Sequence, residues 1–191
     1  MARAAPRDAD LLDMLESLEP TGLEASVWRI TRGEWDPCRC ARGGGRWDDT
    51  TFDVLYTSTV ADGARAEMYF HLRKGQPVVP SKPVYRLYEL SVAADNLLDL
   101  TDASLLASLG VDVRRFGTVA YGGHLAEYLV SQAIGEAANF LGHDGILVPN
   151  ARWPAATNLV LFCDQASASL VDESEEGGAI DWNAWAKRTG A

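Results

Sequence analysis

Apolar and polar positions follow two rhythms along this chain. Near the start, "DADLLDMLESLEP" spaces its leucines for one face of a short helix, with Asp8 or Asp10 as cap and Pro20 as stop. "ASVWRIT" alternates and is rich in strand-forming side chains, so it predicts the first strand. "RGEWDPCRCARGGGRWDD" is dense in Gly, Pro and Asp and reads as a long loop. A loop of that length inside a domain is more often functional than idle.

"FDVLYTS" reads as a buried strand, and "TVADGARAEMYFHLRKG" as a helix with Gly63 near its start and Gly75 at its stop. "VYRLYELSV" has a period of two and predicts the next strand. "LLDLTDASLLASLGV" predicts a short strand and then a helix, with Thr101 as N-cap and Gly110 as C-cap. The strongest helical signal is "HLAEYLVSQAIGEAANFLGHDG", where Leu125, Leu129, Ala133, Ala137 and Leu141 recur at helical spacing. "GILVP" and "NLVLFC" are short apolar runs of buried-strand type. Beyond Asp164 the chain turns acidic, and this tail is expected to be peripheral, docked by Trp182 and Trp185 if at all. Strands and helices mixed without regular βαβ alternation predict an α+β fold in a single domain.

Composition narrows the function. At 191 residues, 47% of them hydrophobic and 23% charged, the chain can bury the core of one ordinary globular domain. No apolar run approaches the roughly 20 residues of a membrane span. "MARAAPRDAD" lacks the apolar stretch of a secretory signal, so the expected compartment is the cytoplasm. A formal charge of −10 argues against nonspecific binding to nucleic acid or anionic membranes. It is compatible with an anionic ligand held by a few arginines, and with a basic protein partner. The three cysteines, Cys38, Cys40 and Cys163, form neither a disulfide framework nor a zinc spacing and are read as structural thiols. His71, His124 and His143 show no metal-ligand spacing, and no metal is expected.

Candidate chemistry gathers between residues 29 and 67. "GGGRW" is neither a phosphate-binding Walker loop nor a dinucleotide fingerprint, but its glycines would allow close backbone approach just before Arg46. Arg29 lies inside an apolar strand, where a guanidinium must reach solvent, pair, or line a pocket. Its planar fork suits phosphate oxygens. Tyr56 is open to two readings: a core ring with its hydroxyl bonded locally, or a ring that stacks on a ligand. Glu67, among small residues in "GARAEMYF", is either an exposed helix glutamate or a carboxylate approaching another element.

The pieces "WRIT", "GGRW", "VLYTS", the helix with Glu67, "YRLYELSV…NLLDLT", "SQAIGEAANFLGHDGILVP" and "TNLVLF" occur in this order. In that order and spacing the chain resembles the RES-domain family, toxins of bacterial toxin–antitoxin modules named for an Arg, a Glu and a Ser. The resemblance covers most of the chain. It implies residues 1–22 as a helical extension, 23–165 as the RES domain and 166–191 as an acidic tail. It further implies a fold like the ADP-ribosyltransferases, with a mixed or antiparallel β core and flanking helices.

The activity implied is consumption of NAD as substrate, with no cofactor, by hydrolysis or phosphorolysis of the nicotinamide–ribose bond. Transfer of ADP-ribose to a protein is the alternative, and a weakened nucleotide- or partner-binding module is another. Arg29, Arg46, Tyr56 and Glu67 land on the family's functional positions: Glu67, Arg46 and Tyr56 as catalytic, and Arg29 with them on the NAD. Where the family serine is often found, in the turn after the "ILV" strand, this chain reads "VPNAR". Asn150 there can bond a ribose hydroxyl or phosphate but cannot be a nucleophile or shuttle a hydroxyl proton. Ser131, in "VSQAIG", is a further polar candidate for the NAD. The implied partner is an antitoxin of helix-turn-helix (Xre-like) type, which would carry any DNA contact. The oligomeric state stays open, a homo-oligomer included.

Overall fold

Backbone pairing closes five strands into a ring. In the computed structural model, residues 7–73, 84–116, 125–164, 169–172 and 178–191 are described. The elements are α1 (Ala9–Glu16), β1 (Thr21–Arg32), β2 (Val54–Ser58), α2 (Ala61–Arg73), β3 (Tyr85–Asp99), α3 (Ala103–Ser108), α4 (Leu125–Phe140), β4 (Gly145–Pro149), β5 (Thr157–Phe162), β6 (Ser169–Asp172), β7 (Gly178–Ala179) and α5 (Trp182–Thr189). The sheet runs β1-β2-β5-β4-β3-β6, and β1 also pairs along β3, which closes the first five strands of the path into the ring and leaves β6 beside β3. All ladders are antiparallel except β3–β4, where Leu97, Leu98 and Asp99 lie beside Gly145, Ile146 and Leu147 in parallel. The predicted α+β architecture with a mixed sheet is what the chain adopts.

Three apolar clusters among the described residues hold it. One packs α1, α3 and α4 on the sheet, through Leu15, Leu106, Ile134, Ala138 and Ile146. A second, with Val27, Leu55, Leu90, Leu97 and Leu159, gathers side chains of β1, β2, β3 and β5. The third joins α2 and α5 to β1 through Ile30, Ala66, Leu72, Trp182 and Trp185. Each such large side chain contributes roughly 1.5–3 kcal/mol by leaving water. No helix among the described residues is long and apolar enough to cross a membrane.

Several expectations need correction. The two strands expected from "VYRLYELSV" and "LLDL" are one, β3. Polar Asp95 and Asn96 break its apolar pattern, but their backbone N–H groups donate to the buried Asp144 carboxylate at 3.2 and 3.0 Å. Helix α3 is capped by Asp102, which accepts from the Leu105 amide at 2.7 Å, while the Thr101 hydroxyl donates to Asp99. Gly110 follows the C-cap Leu109 with φ +82°, a left-handed turn that suits glycine. Asp8, of the two candidates, caps α1. Gly75 and His124 lie outside the described residues.

On α4 the expected apolar row meets the core only at its C-terminal end. Leu129 and Ala133 are exposed, Ala137 is buried and Leu141 packs against the core, and Ser131, Ile134, Gly135 and Ala138 are buried beside them. The tail is not peripheral: β6 and β7 pair with β3, and Trp182 and Trp185 are buried. Nor are the cysteines all thiols. Cys40 and Cys163 form a disulfide across 123 residues of sequence, and Cys38 lies outside that bridge.

Candidate functional site

Strands β1 and β2 meet at one register pair, Trp28 opposite Ser58. Both strands line a cavity of about 560 Å³, a volume typical of small-molecule sites. The long loop between them, helix α2, the β4–β5 turn and Tyr128 of α4 complete its wall. Arg29, Arg46, Tyr56 and Glu67, four of the six residues singled out from the sequence, line this cavity. Ser131 and Asn150 are not part of its wall; both are buried.

The arginine loop is braced from three sides. Asp48, 1% exposed, accepts the Gly44 amide at 2.9 Å and the Tyr56 hydroxyl at 2.7 Å. The same hydroxyl accepts the Trp47 amide at 3.0 Å. Gln132 of α4 donates to the carbonyls of Gly45 and Asp48 at 2.8 and 3.0 Å. Gly135 of α4 lies so close to the Trp47 carbonyl that a Cβ there would collide with it. Burial raises the Asp48 carboxyl above its ordinary range, against the hydrogen bonds from Tyr56, Gly44 and Gly45. Burial, with the Asp48 charge beside it, pushes the Tyr56 phenol well up.

Tyr56 is thus a strut: both of its hydroxyl's roles are already taken by the loop that presents Arg46. Tyr56→Phe should lower stability by about 1–3 kcal/mol, because it leaves a buried carboxylate oxygen and an amide without their partner. A thermal melt of Tyr56→Phe unchanged from the wild type would contradict this role.

The cations come from separate elements. Arg46 stacks its guanidinium 4.2 Å from the Phe116 ring centroid and 4.7 Å from that of Tyr128. Arg29 donates to the Pro37 carbonyl at 2.8 Å, and burial lowers its pKa against the attraction of Cys38 and Asp36. The sequence reading missed a third cation, Arg152, on the β4–β5 turn. Its guanidinium lies 3.2 Å from the Phe70 ring centroid. Burial lowers its pKa, Glu67 opposes that shift, and Arg46 adds to it. Its signal was in "VPNAR", two places after Asn150.

Glu67 projects from α2 toward that turn. Its Oε1 accepts the Ala151 amide at 3.0 Å and the Asn158 Nδ2 at 3.4 Å. No hydrogen bond to Oε2 occurs among the described residues. A carboxylate, three guanidinium groups and aromatic faces around one cavity suit a ligand with an anionic part and a part where positive charge develops. No group of three His, Cys, Asp or Glu placed to hold a metal occurs among the described residues.

Helix α2 is anchored at its other end. Asp62 accepts from Arg65 at 2.7 Å, from Trp185 Nε1 at 2.9 Å and from Arg188 at 2.9 and 3.2 Å. Burial alone would raise its carboxyl, but the bonds from Arg188, Trp185 and Arg65 outweigh it and hold the pKa at about 2. A depressed carboxyl stabilises the fold above its unfolded pKa, and that stability is lost as pH falls through the folded value. After allowance for solvent screening it is worth about 1 kcal/mol. The stability gap between wild type and Asp62→Asn should therefore be full at about pH 5 and close between about pH 4 and 2. A gap that ignores pH across that window would show that the charge is not what matters.

Comparisons with known proteins bear on the fold and the family. A crystal structure of the M. tuberculosis MbcT–MbcA toxin–antitoxin complex contains a chain of similar fold, with a TM-score of 0.74. The two are 19% identical, over 96% of this chain and 99% of that one. No curated protein matches the sequence. The family model described as the RES domain matches residues 26–183, from within β1 to the first turn of α5. With that match over most of its length, the chain belongs to the RES-domain family.

Proposed function

We propose that this chain is a toxin that cleaves NAD at the nicotinamide–ribose bond. The observation that carries the reading is the meeting of Arg29, Arg46, Arg152, Tyr56 and Glu67 on one cavity. Arg46 and Arg29, with Arg152 beside them, hold the pyrophosphate. Tyr56 keeps Arg46 in place. Glu67, through Oε2, faces the ribose.

In the reaction the C1′–N1 bond breaks and its electron pair goes to the nicotinamide nitrogen. That nitrogen is cationic in NAD, so it departs neutral and needs no general acid. The sugar acquires oxocarbenium character, which the fixed carboxylate of Glu67 stabilises. Water or orthophosphate then bonds to C1′; for water, the released proton passes to solvent. Positioning and electrostatics supply the rate, since no covalent enzyme intermediate is required.

Such an activity has to be restrained in its own cell, and the similar fold was solved in complex with an antitoxin. A protein antitoxin of helix-turn-helix type is the partner proposed, and the cytoplasm the site of action. The test is nicotinamide release from NAD by the purified chain, followed by NMR of the products with and without inorganic phosphate. Free nicotinamide supports cleavage, and a phosphate requirement selects phosphorolysis. Nicotinamide released only when a protein acceptor is added, with ADP-ribose retained on that acceptor, would move the reading to ADP-ribosyl transfer. NAD left intact under every condition would overturn it.

A further inference from the structure

Asn150 occupies the turn that brings Arg152 and the Ala151 amide to the cavity, yet it is not part of the wall and is 6% exposed. Its Oδ1 accepts two backbone amides, those of Arg152 and Trp153, both at 2.8 Å. An amide nitrogen cannot accept a hydrogen bond, so these two donors fix which end of the side chain is oxygen. Nδ2 must then point the other way, and it donates to Asn158 Oδ1 at 2.7 Å. That bond fixes Asn158 in turn. With its oxygen engaged, Asn158 presents Nδ2 to Glu67 Oε1 at 3.4 Å.

We infer that Asn150 is a positioning residue for Glu67, acting through Asn158. The polarity set by two backbone amides passes along two side chains and ends as an N–H on the carboxylate. Together with the Ala151 amide at 3.0 Å, it loads Oε1 with donors and leaves Oε2 to the sugar. Asparagine suits the position because it accepts on one side and donates on the other. Aspartate keeps the acceptor for Arg152 and Trp153 but loses the donor. Asn158 would then turn its NH₂ toward residue 150 and its oxygen toward Glu67, repelling the carboxylate from its place. The inference rests on the role proposed for Glu67.

The test is a double-mutant cycle on NAD turnover with Asn150→Asp, Asn158→Ala and the pair. Asn150→Asp should lower kcat roughly tenfold to a hundredfold, the cost of misplacing a catalytic group by about an ångström. KM should stay within about twofold, because the phosphates are held elsewhere. The pair should be no slower than Asn158→Ala alone, since the repelling oxygen is gone. Losses that multiply in the pair, or a raised KM with kcat intact, would overturn the inference.

A second readout does not depend on turnover. In ¹⁵N-labelled protein, Glu67→Gln should shift the side-chain NH₂ signals of Asn158 and of Asn150. The Asn150 response should vanish in the Asn158→Ala background. If the wild-type chain leaves NAD untouched, the NAD reading fails while these spectra still decide the relay. An Asn150 signal indifferent to Glu67→Gln would sink it.

Discussion

Glu67→Gln is expected to slow nicotinamide release by about a hundredfold to a thousandfold, the usual cost of removing one well-placed electrostatic group from a transition state. The substitution is nearly isosteric. The glutamine oxygen can still accept the Ala151 amide that Glu67 accepts at 3.0 Å. What disappears is the negative charge that the proposed mechanism sets against the sugar. KM for NAD should change little, because the proposal assigns the far end of the molecule to Arg29, Arg46 and Arg152. The melting temperature should stay close to that of the wild type, which separates lost chemistry from lost fold. Nicotinamide release within about threefold of the wild type, from a folded variant, would remove Glu67 from the mechanism.

Gly135→Ala is expected to lower the stability of the fold. Helix propensity alone predicts the opposite, since alanine in a helix interior is favoured over glycine by about 1 kcal/mol. Against that stands the Trp47 carbonyl, which a Cβ at this position would strike. Backbone cannot swing aside as a side chain can, and overpacking of this kind costs about 1–3 kcal/mol or more. Collision outweighs propensity, so the melting temperature should fall by several degrees, at about 2–4 °C per kcal/mol for a chain of this size. Trp47 follows Arg46, so turnover should fall with it. A variant that melts at or above the wild-type temperature would show that α4 and the arginine loop are less tightly joined than described.

The legibility of this chain depended on the range of the forces involved. Strand β2 and helix α2 were readable because local alternation and local periodicity describe them. The middle of β3 was not, because Asp95 and Asn96 remain in a strand only through Asp144, some 48 residues away. The core face of α4 was read correctly only at Ala137 and Leu141, for a similar reason. Leucine spacing marked one row, but the helix turns its small residues inward so that Gly135 can meet the backbone of Trp47. Pairing of Cys40 with Cys163 spans 123 residues, which counting cysteines could not reveal.

In the site, the charged side chains were visible one at a time, and family resemblance joined them. The sequence did not show what each one touches. Tyr56 was left between a ring with a locally bonded hydroxyl and a ring stacked on a ligand, and the structure gives its hydroxyl to Asp48 and Trp47. Asn150 was read as a ligand contact, and its bonds run to the turn and to Asn158. Ser131 donates to the Tyr128 carbonyl within α4, away from the cavity. Arg152 was passed over because nothing about a lone arginine in a turn announces that a carboxylate from another element lies opposite.

The anchor at Asp62 bears on how the protein should be handled. The family match stops at residue 183, which makes that point a natural place to cut a minimal fragment. Trp185 and Arg188, which donate to Asp62 at 2.9 Å each, lie just beyond it. A fragment trimmed at the match boundary would keep every side chain of the cavity and lose the grip on the helix that carries Glu67. Expression designs should run through Thr189, and an affinity handle is better separated from α5 by a spacer.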